Sequence, residues 1–197
     1  MQLSPDGRVL AVGYASGDVV LADAASYRVL HRFQVEGNVR SIAFSPDGSR
    51  LAAAWDKRLS VWDLHSGSAL FDQPPYFAGG GNSIEWLPDE NTIVYGGDDG
   101  QAVLFDVTQD VQRGVPLPVF RDGGGGLVFL APVRGDRLAL LPGARPGLAV
   151  REGEVYSLNP ADWLARACAV ADRDLTPAEW RTYIPERPYR ETCSELT

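Results

Sequence analysis

The side chains able to do chemistry are few and widely separated. The chain has two histidines, His31 and His65, and two cysteines, Cys168 and Cys193. A zinc site needs Cys or His in pairs a few residues apart, and neither pair has that spacing. Both histidines read as solvated structural residues. The glycine runs FAGGGNS at 77–83 and RDGGGGLV at 121–128 invite comparison with phosphate-binding loops. Neither has the Lys-Ser/Thr ending and the following helix that such a loop requires. Asp98-Asp99-Gly100 and Asp6-Gly7 offer too few oxygen ligands for calcium and read as turns. No serine stands in a Gly-x-Ser-x-Gly elbow. Arg134-Gly135-Asp136 reads as a turn between strands. The expectation is therefore no catalytic residue, no cofactor and no metal.

Composition bounds the alternatives. The 197 residues carry 18 basic and 26 acidic side chains, a net charge of −8, and 45% of them are hydrophobic. That suits one globular domain with a small appendage. An acidic chain without a basic run lacks the cationic surface that displaces counterions from a polyanion, so nucleic acid is not the expected partner. No stretch approaches the ~20 apolar residues of a membrane-spanning helix. Two cysteines make no disulfide framework, so the expected location is the cytoplasm, with reduced thiols. A Cys168–Cys193 bridge stays open if the end of the chain folds back.

The elements that position these residues repeat. LSPDGRVLAVG begins at residue 3, FSPDGSRLAAA at 44 and LPDENTIVYGG at 87. A second marker keeps step: VVLAD ends at Asp23, LSVWD at Asp63 and AVLFD at Asp106. Two markers sharing a period of about 42 residues indicate a structural repeat. In each unit an alternating run leads into a Pro-Asp turn, and two more strands follow up to the Asp. A fourth strand, such as YRVLHRF, completes the unit. Four antiparallel strands per unit without a helix is the blade of a β-propeller.

The units resemble WD repeats. SIAFSPDGSRLAAAWDKRLSVWDLHSG at 41–67 is the fullest match, with Trp62-Asp63 as the signature dipeptide, and Ala22-Asp23 and Phe105-Asp106 in its place elsewhere. The Gly-His pair of the family is replaced by Gly37-Asn38 and Gly81-Asn82. The resemblance thus implies that its His–Asp network is absent here, with Asp56 left to cap its turn. The expected fold is all-β: a partial β-propeller of three to four four-stranded blades at about 1–38, 39–82, 83–126 and 127–158. A C-terminal helical hairpin at 159–197 packs on the last blade.

In that tail the period changes. Asn159-Pro160 supplies an N-cap and N1 proline, and Thr176-Pro177-Ala178-Glu179 a capping box before a second short helix. Trp163 and Trp180 are the expected structural aromatics. Trp163, Ala167-Cys168, Leu175-Thr176, Glu179-Trp180, Tyr183, Tyr189 and Thr192-Cys193 look like the closing segment of bacterial, actinobacterial-type WD-repeat proteins. In those, propellers follow a STAND-type NTPase, a kinase or a protease-like domain.

The resemblance implies a non-catalytic protein-interaction scaffold or sensor, the C-terminal portion of a larger bacterial signalling protein. Partner-binding side chains would lie at the start of the innermost strand and before the turn between strands two and three. Those positions are Arg40 and Trp55 in the best blade, with Glu85 and Tyr95 taken as their counterparts in the next. Trp55 has an alternative role, packing between blades. Two other readings are a propeller enzyme or small-ligand binder using the central channel, and a short propeller that self-associates through its open blade edges.

Overall fold

The computed structural model describes residues 1–73, 81–118, 128–133, 137–142 and 154–157. Of the tail it describes 176–183 and single positions between 159 and 193. The Arg134-Gly135-Asp136 turn, Trp163 and most of both glycine runs lie outside the described residues. The chain forms four sheets in succession, each an antiparallel meander. The first contains β1 (Gln2–Leu3), β2 (Val9–Gly13), β3 (Asp18–Asp23) and β4 (Val29–Gln34). The second contains β5 (Val39–Phe44), β6 (Arg50–Trp55), β7 (Arg58–Asp63) and β8 (Ala69–Gln73). The third contains β9 (Gly81–Trp86), β10 (Thr92–Gly97), β11 (Gln101–Asp106) and β12 (Val111–Pro118). The fourth has three strands, β13 (Val128–Val133), β14 (Arg137–Pro142) and β15 (Glu154–Ser157).

The core lies between sheets. Side chains alternate across a strand, so Leu51, Ala53 and Trp55 of β6 face the first sheet while Ala52 and Ala54 face the third. Because both faces are covered, β6 reads as a continuous apolar run. Ala52 and Ala54 are small where the third sheet brings Trp86, Tyr95 and Phe105 into the same layer. Val94, Ala102 and Leu87 meet Val128, Leu138 and Leu140 in the last interface.

Hydrogen bonds stitch consecutive inner strands together. The Phe44 amide donates to Gln2 Oε1 at 2.7 Å, the Ile84 amide to Ser41 Oγ at 3.2 Å, and the Leu130 amide to Ser83 Oγ at 3.1 Å. Buried amides left by a strand that no neighbour pairs must find such acceptors. The last two bonds are one feature repeated, because Ile84 and Leu130 hold the same register position.

The turns explain the two sequence markers. Ser45 Oγ donates to Asp47 Oδ1 at 2.5 Å and accepts the Arg50 amide at 2.9 Å, closing the β5–β6 turn. Gly48 takes φ +72° there, as Gly7 takes +75° in the first sheet. In the third sheet Glu90 holds this left-handed position at φ +60°. The Asp of the second marker caps the next turn: Asp63 Oδ1 accepts the amides of His65 and Ser66 at 3.0 and 2.7 Å. Asp23 and Asp106 do the same. In the fourth sheet Ser157 occupies this register, pairing with Arg137 as Asp106 pairs with Thr92. Its hydroxyl accepts the Asn159 amide at 3.1 Å.

After Ser157 the chain enters the tail, where Asp162, Ala165, Cys168 and Ala169 are helical and α1 spans Pro177–Tyr183. The capping box forms as read from sequence: Thr176 Oγ and amide donate to Glu179 Oε2, and the Glu179 amide donates back to Thr176. Arg173 grips the same carboxylate at 2.7 and 2.8 Å. Trp180 is 3% exposed and meets Tyr189 edge to face at 5.8 Å. One expectation is overturned: Cys168 and Cys193 are joined as a disulfide, with Cα atoms 5.4 Å apart. The final segment folds back, held by the Cys193 amide on Asp174 Oδ1 at 2.6 Å, and this brings the thiols within bridging reach.

Candidate partner-binding face

In every sheet the first strand begins, and the second ends, on the same face of the array. There Val39 pairs with Trp55 and Gly81 with Gly97. The register equivalents of Arg40 and Trp55 in the third sheet are therefore Asn82 and Gly97, not Glu85 and Tyr95. A comparison of apolar runs misses this because β10 ends on Gly96 and Gly97 where β6 ends on Ala54 and Trp55, while the bulge at Arg40 and Asn82 is common to both sheets.

The four sequence-derived positions thus separate into two groups. Trp55 is 4% exposed and belongs to the core between the first two sheets, its Nε1 donating to Ser60 Oγ at 2.9 Å. Tyr95 is 1% exposed, in the core between the second and third sheets. A Cβ on Gly81 would stand 2.4 Å from the Tyr95 hydroxyl, so glycine leaves the room that this ring fills. Burial, with Asp98 and Asp99 nearby, raises the Tyr95 hydroxyl above its ordinary pKa. Both aromatics pack between blades.

Arg40 is exposed and donates from Nη1 to Asn82 Oδ1 at 3.3 Å, linking two neighbouring inner strands at their entrance. Glu85 lies deeper on β9 and is half-buried; desolvation alone pushes its carboxyl up to about 7. Asp56 holds the β6–β7 turn with φ +46°, and its main-chain carbonyl accepts the Gly81 amide at 2.8 Å. Trp62 and Asp63 serve structure, Trp62 stacking on Phe33 at 4.7 Å.

Sequence reasoning did not single out Arg58. It opens β7 beside Asp56 and Lys57, and its guanidinium lies 5.1 Å over the Trp55 ring. Arg40, Lys57 and Arg58 make the second sheet's part of this face basic, while Asp98 and Asp99 make the third sheet's part acidic. Tyr14, 48% exposed, occupies the β2–β3 turn of the first sheet on the same side. The signal was present in sequence as charged residues at one repeat position, the turn between the second and third strands. Among the described residues, no group of three His, Cys, Asp or Glu side chains is placed to hold a metal. No helix there is long and apolar enough to cross a membrane.

Residues 28–63, from β4 through β7, match the WD40 family, described as WD domain, G-beta repeat. That segment is similar to one WD40 repeat. The small ribosomal subunit protein RACK1 of Glycine max is 30% identical over 122 residues, 53% of this chain and 38% of that protein. The THO complex subunit 3 of Arabidopsis thaliana is 34% identical over 99 residues, 49% of this chain and 31% of that one. A solved structure of U3-55K superposes with a TM-score of 0.67 at 16% identity, covering 81% of this chain and 48% of that chain. The RRP9 WD40 repeats superpose with a TM-score of 0.62 at 16% identity, covering 72% and 44%. The fold is that of WD40 propeller blades, and the chain spans less than half the length of these relatives.

Proposed function

We propose that these WD40 blades are a non-catalytic docking module that binds a protein partner across the face bearing Arg40, Arg58, Asp98 and Asp99. The observation that carries this reading is the division of labour on that face. Trp55 and Tyr95 are locked between sheets, while Arg40, Lys57, Arg58 and Asp98 stand exposed on rigid strand ends and turns, net basic on the second sheet despite Asp56 and acidic on the third. Sorted charge favours recognition and orientation of a complementary partner surface, and rigid strands spare the entropic cost of ordering the binding side chains. The likeness to the RACK1 and THO subunit 3 sequences supports a scaffold role. The tail pattern supports placing the module in a bacterial signalling protein. Affinity capture with Arg40→Glu/Arg58→Glu tests the reading: loss of specific partners with an unchanged unfolding temperature is expected. Retention of every partner would refute it.

A further inference from the structure

A repeated fold lets one interface show what fills the equivalent space in another. Between the second and third sheets, Arg50 lays its guanidinium over the Trp86 ring, 4.9 Å from the centroid. Its Nη2 donates to the Glu90 carbonyl. Between the first and second sheets the register equivalents of these three residues are Val9, Phe44 and Gly48. Val9 pairs with Asp23 as Arg50 pairs with Asp63, and Phe44 pairs with Leu51 as Trp86 pairs with Ile93. The Gly48 amide donates to the Ser45 carbonyl as the Glu90 amide donates to that of Leu87. Valine cannot span the groove that arginine crosses one interface later. A cavity of about 360 Å³ remains, with Leu21, Phe33 and Phe44 along it and Asp6, Asp47 and His31 at its edge.

The charge of this groove fits the missing group. Asp47 is held down to about 2 by the hydroxyls of Ser45 and Ser49, and Asp6 is lowered by the hydroxyl of Ser4. Both are carboxylates at neutral pH. Arg8, the chain's cation beside Asp6, is 85% exposed and approaches it only to 4.0 Å. We propose that the groove between the first two blades binds an arginine side chain presented by a partner protein. The guanidinium would stack on Phe44 and donate to the Gly48 carbonyl and the Asp47 carboxylate. A planar five-donor fork can satisfy ring, carbonyl and carboxylate together; an ammonium meets them as a point charge. The groove opens beside the β1–β2 and β5–β6 turns, on the side of the array opposite Arg40. It therefore stands or falls separately from the face above.

The test uses amide and His31 ring NMR signals of the full chain, titrated with the blocked tripeptide acetyl-Ala-Arg-Ala-amide and its lysine and citrulline counterparts. Saturable shifts at Gly48 and His31 are expected with the arginine peptide. The lysine peptide should bind several-fold more weakly, and the uncharged citrulline peptide should give no saturable shift. Val9→Arg should plug the groove from within, as Arg50 does in the next interface, and weaken the arginine peptide by about tenfold or more. Leu30→Arg, on the exposed outer strand at the groove's edge, gives a second competing guanidinium should Val9→Arg not fold. Absence of saturation with the arginine peptide overturns the proposal. So do equal responses to the three peptides, or undiminished binding in the folded variants.

Discussion

Trp55→Ala separates a scaffold residue from an interface residue. Its indole is almost wholly enclosed among Leu51, Ala53, Val39 and Ile42, and it donates to the buried Ser60 hydroxyl. Truncating such a ring removes its transfer free energy and leaves a cavity that the neighbouring strands close only in part. That costs about 3–5 kcal/mol. Loss of the Arg58 stacking adds about 0.5–1 kcal/mol. In a chain of this length each kcal/mol lowers the unfolding midpoint by roughly 2–4 °C, so a fall of about 7–24 °C is expected. Arg40→Ala, at an exposed strand entrance, should stay within about 0.5 kcal/mol of the parent. Urea unfolding followed by circular dichroism gives both numbers under one condition. A Trp55→Ala protein as stable as the parent would refute the assignment of Trp55 to the inter-blade core.

Four further outcomes follow from the turns, the half-buried carboxyl and the tail. Glu90→Gly places at φ +60° the residue type that Gly7 and Gly48 supply at this repeat position, and should raise stability by about 0.5–1 kcal/mol in urea unfolding. Glu85, raised by burial to about 7, binds its proton more tightly folded than unfolded. It therefore costs stability as pH rises from about 4.5 through 7, and Glu85→Gln should gain on the parent at pH 8 and match it near pH 4. Asp47 has the opposite sign: its lowered pKa contributes stability above about pH 4 that is lost as pH falls toward 2. Asp47→Asn should flatten that acid limb. For the tail, peptide mapping under non-reducing conditions should recover Cys168 and Cys193 in one cross-linked peptide pair, separable by reductant.

Much of the fold was legible because its turns are chemically marked. The Pro-Asp turns and the capping Asp23, Asp63 and Asp106 each use a side chain that also recurs in sequence. Ser157 escaped notice because a hydroxyl does the same capping without the marker residue. Trp55 was legible in principle, since Leu51, Ala53 and Trp55 share strand parity and must share a face. The counterparts Glu85 and Tyr95 were misplaced because register depends on pairing across Gly96 and Gly97, which carry no side chain to align. Cysteine spacing says nothing about how a tail folds back, so the Cys168–Cys193 bridge stood only as an open alternative to reduced thiols. The groove beside Val9 is marked only by a side chain too short for its place. Reading it needs the register of two sheets at once.

On the proposed reading, recognition belongs to the exposed charges at the strand entrances. Quantitative affinity capture with the full chain would decide it, comparing the parent with Arg40→Glu/Arg58→Glu and with Arg32→Glu on the outer strand β4. A defined set of proteins should be lost on reversal at 40 and 58 and kept on reversal at 32, all three chains unfolding at similar temperatures. Identical capture by all three, or loss only with Arg32→Glu, would contradict it.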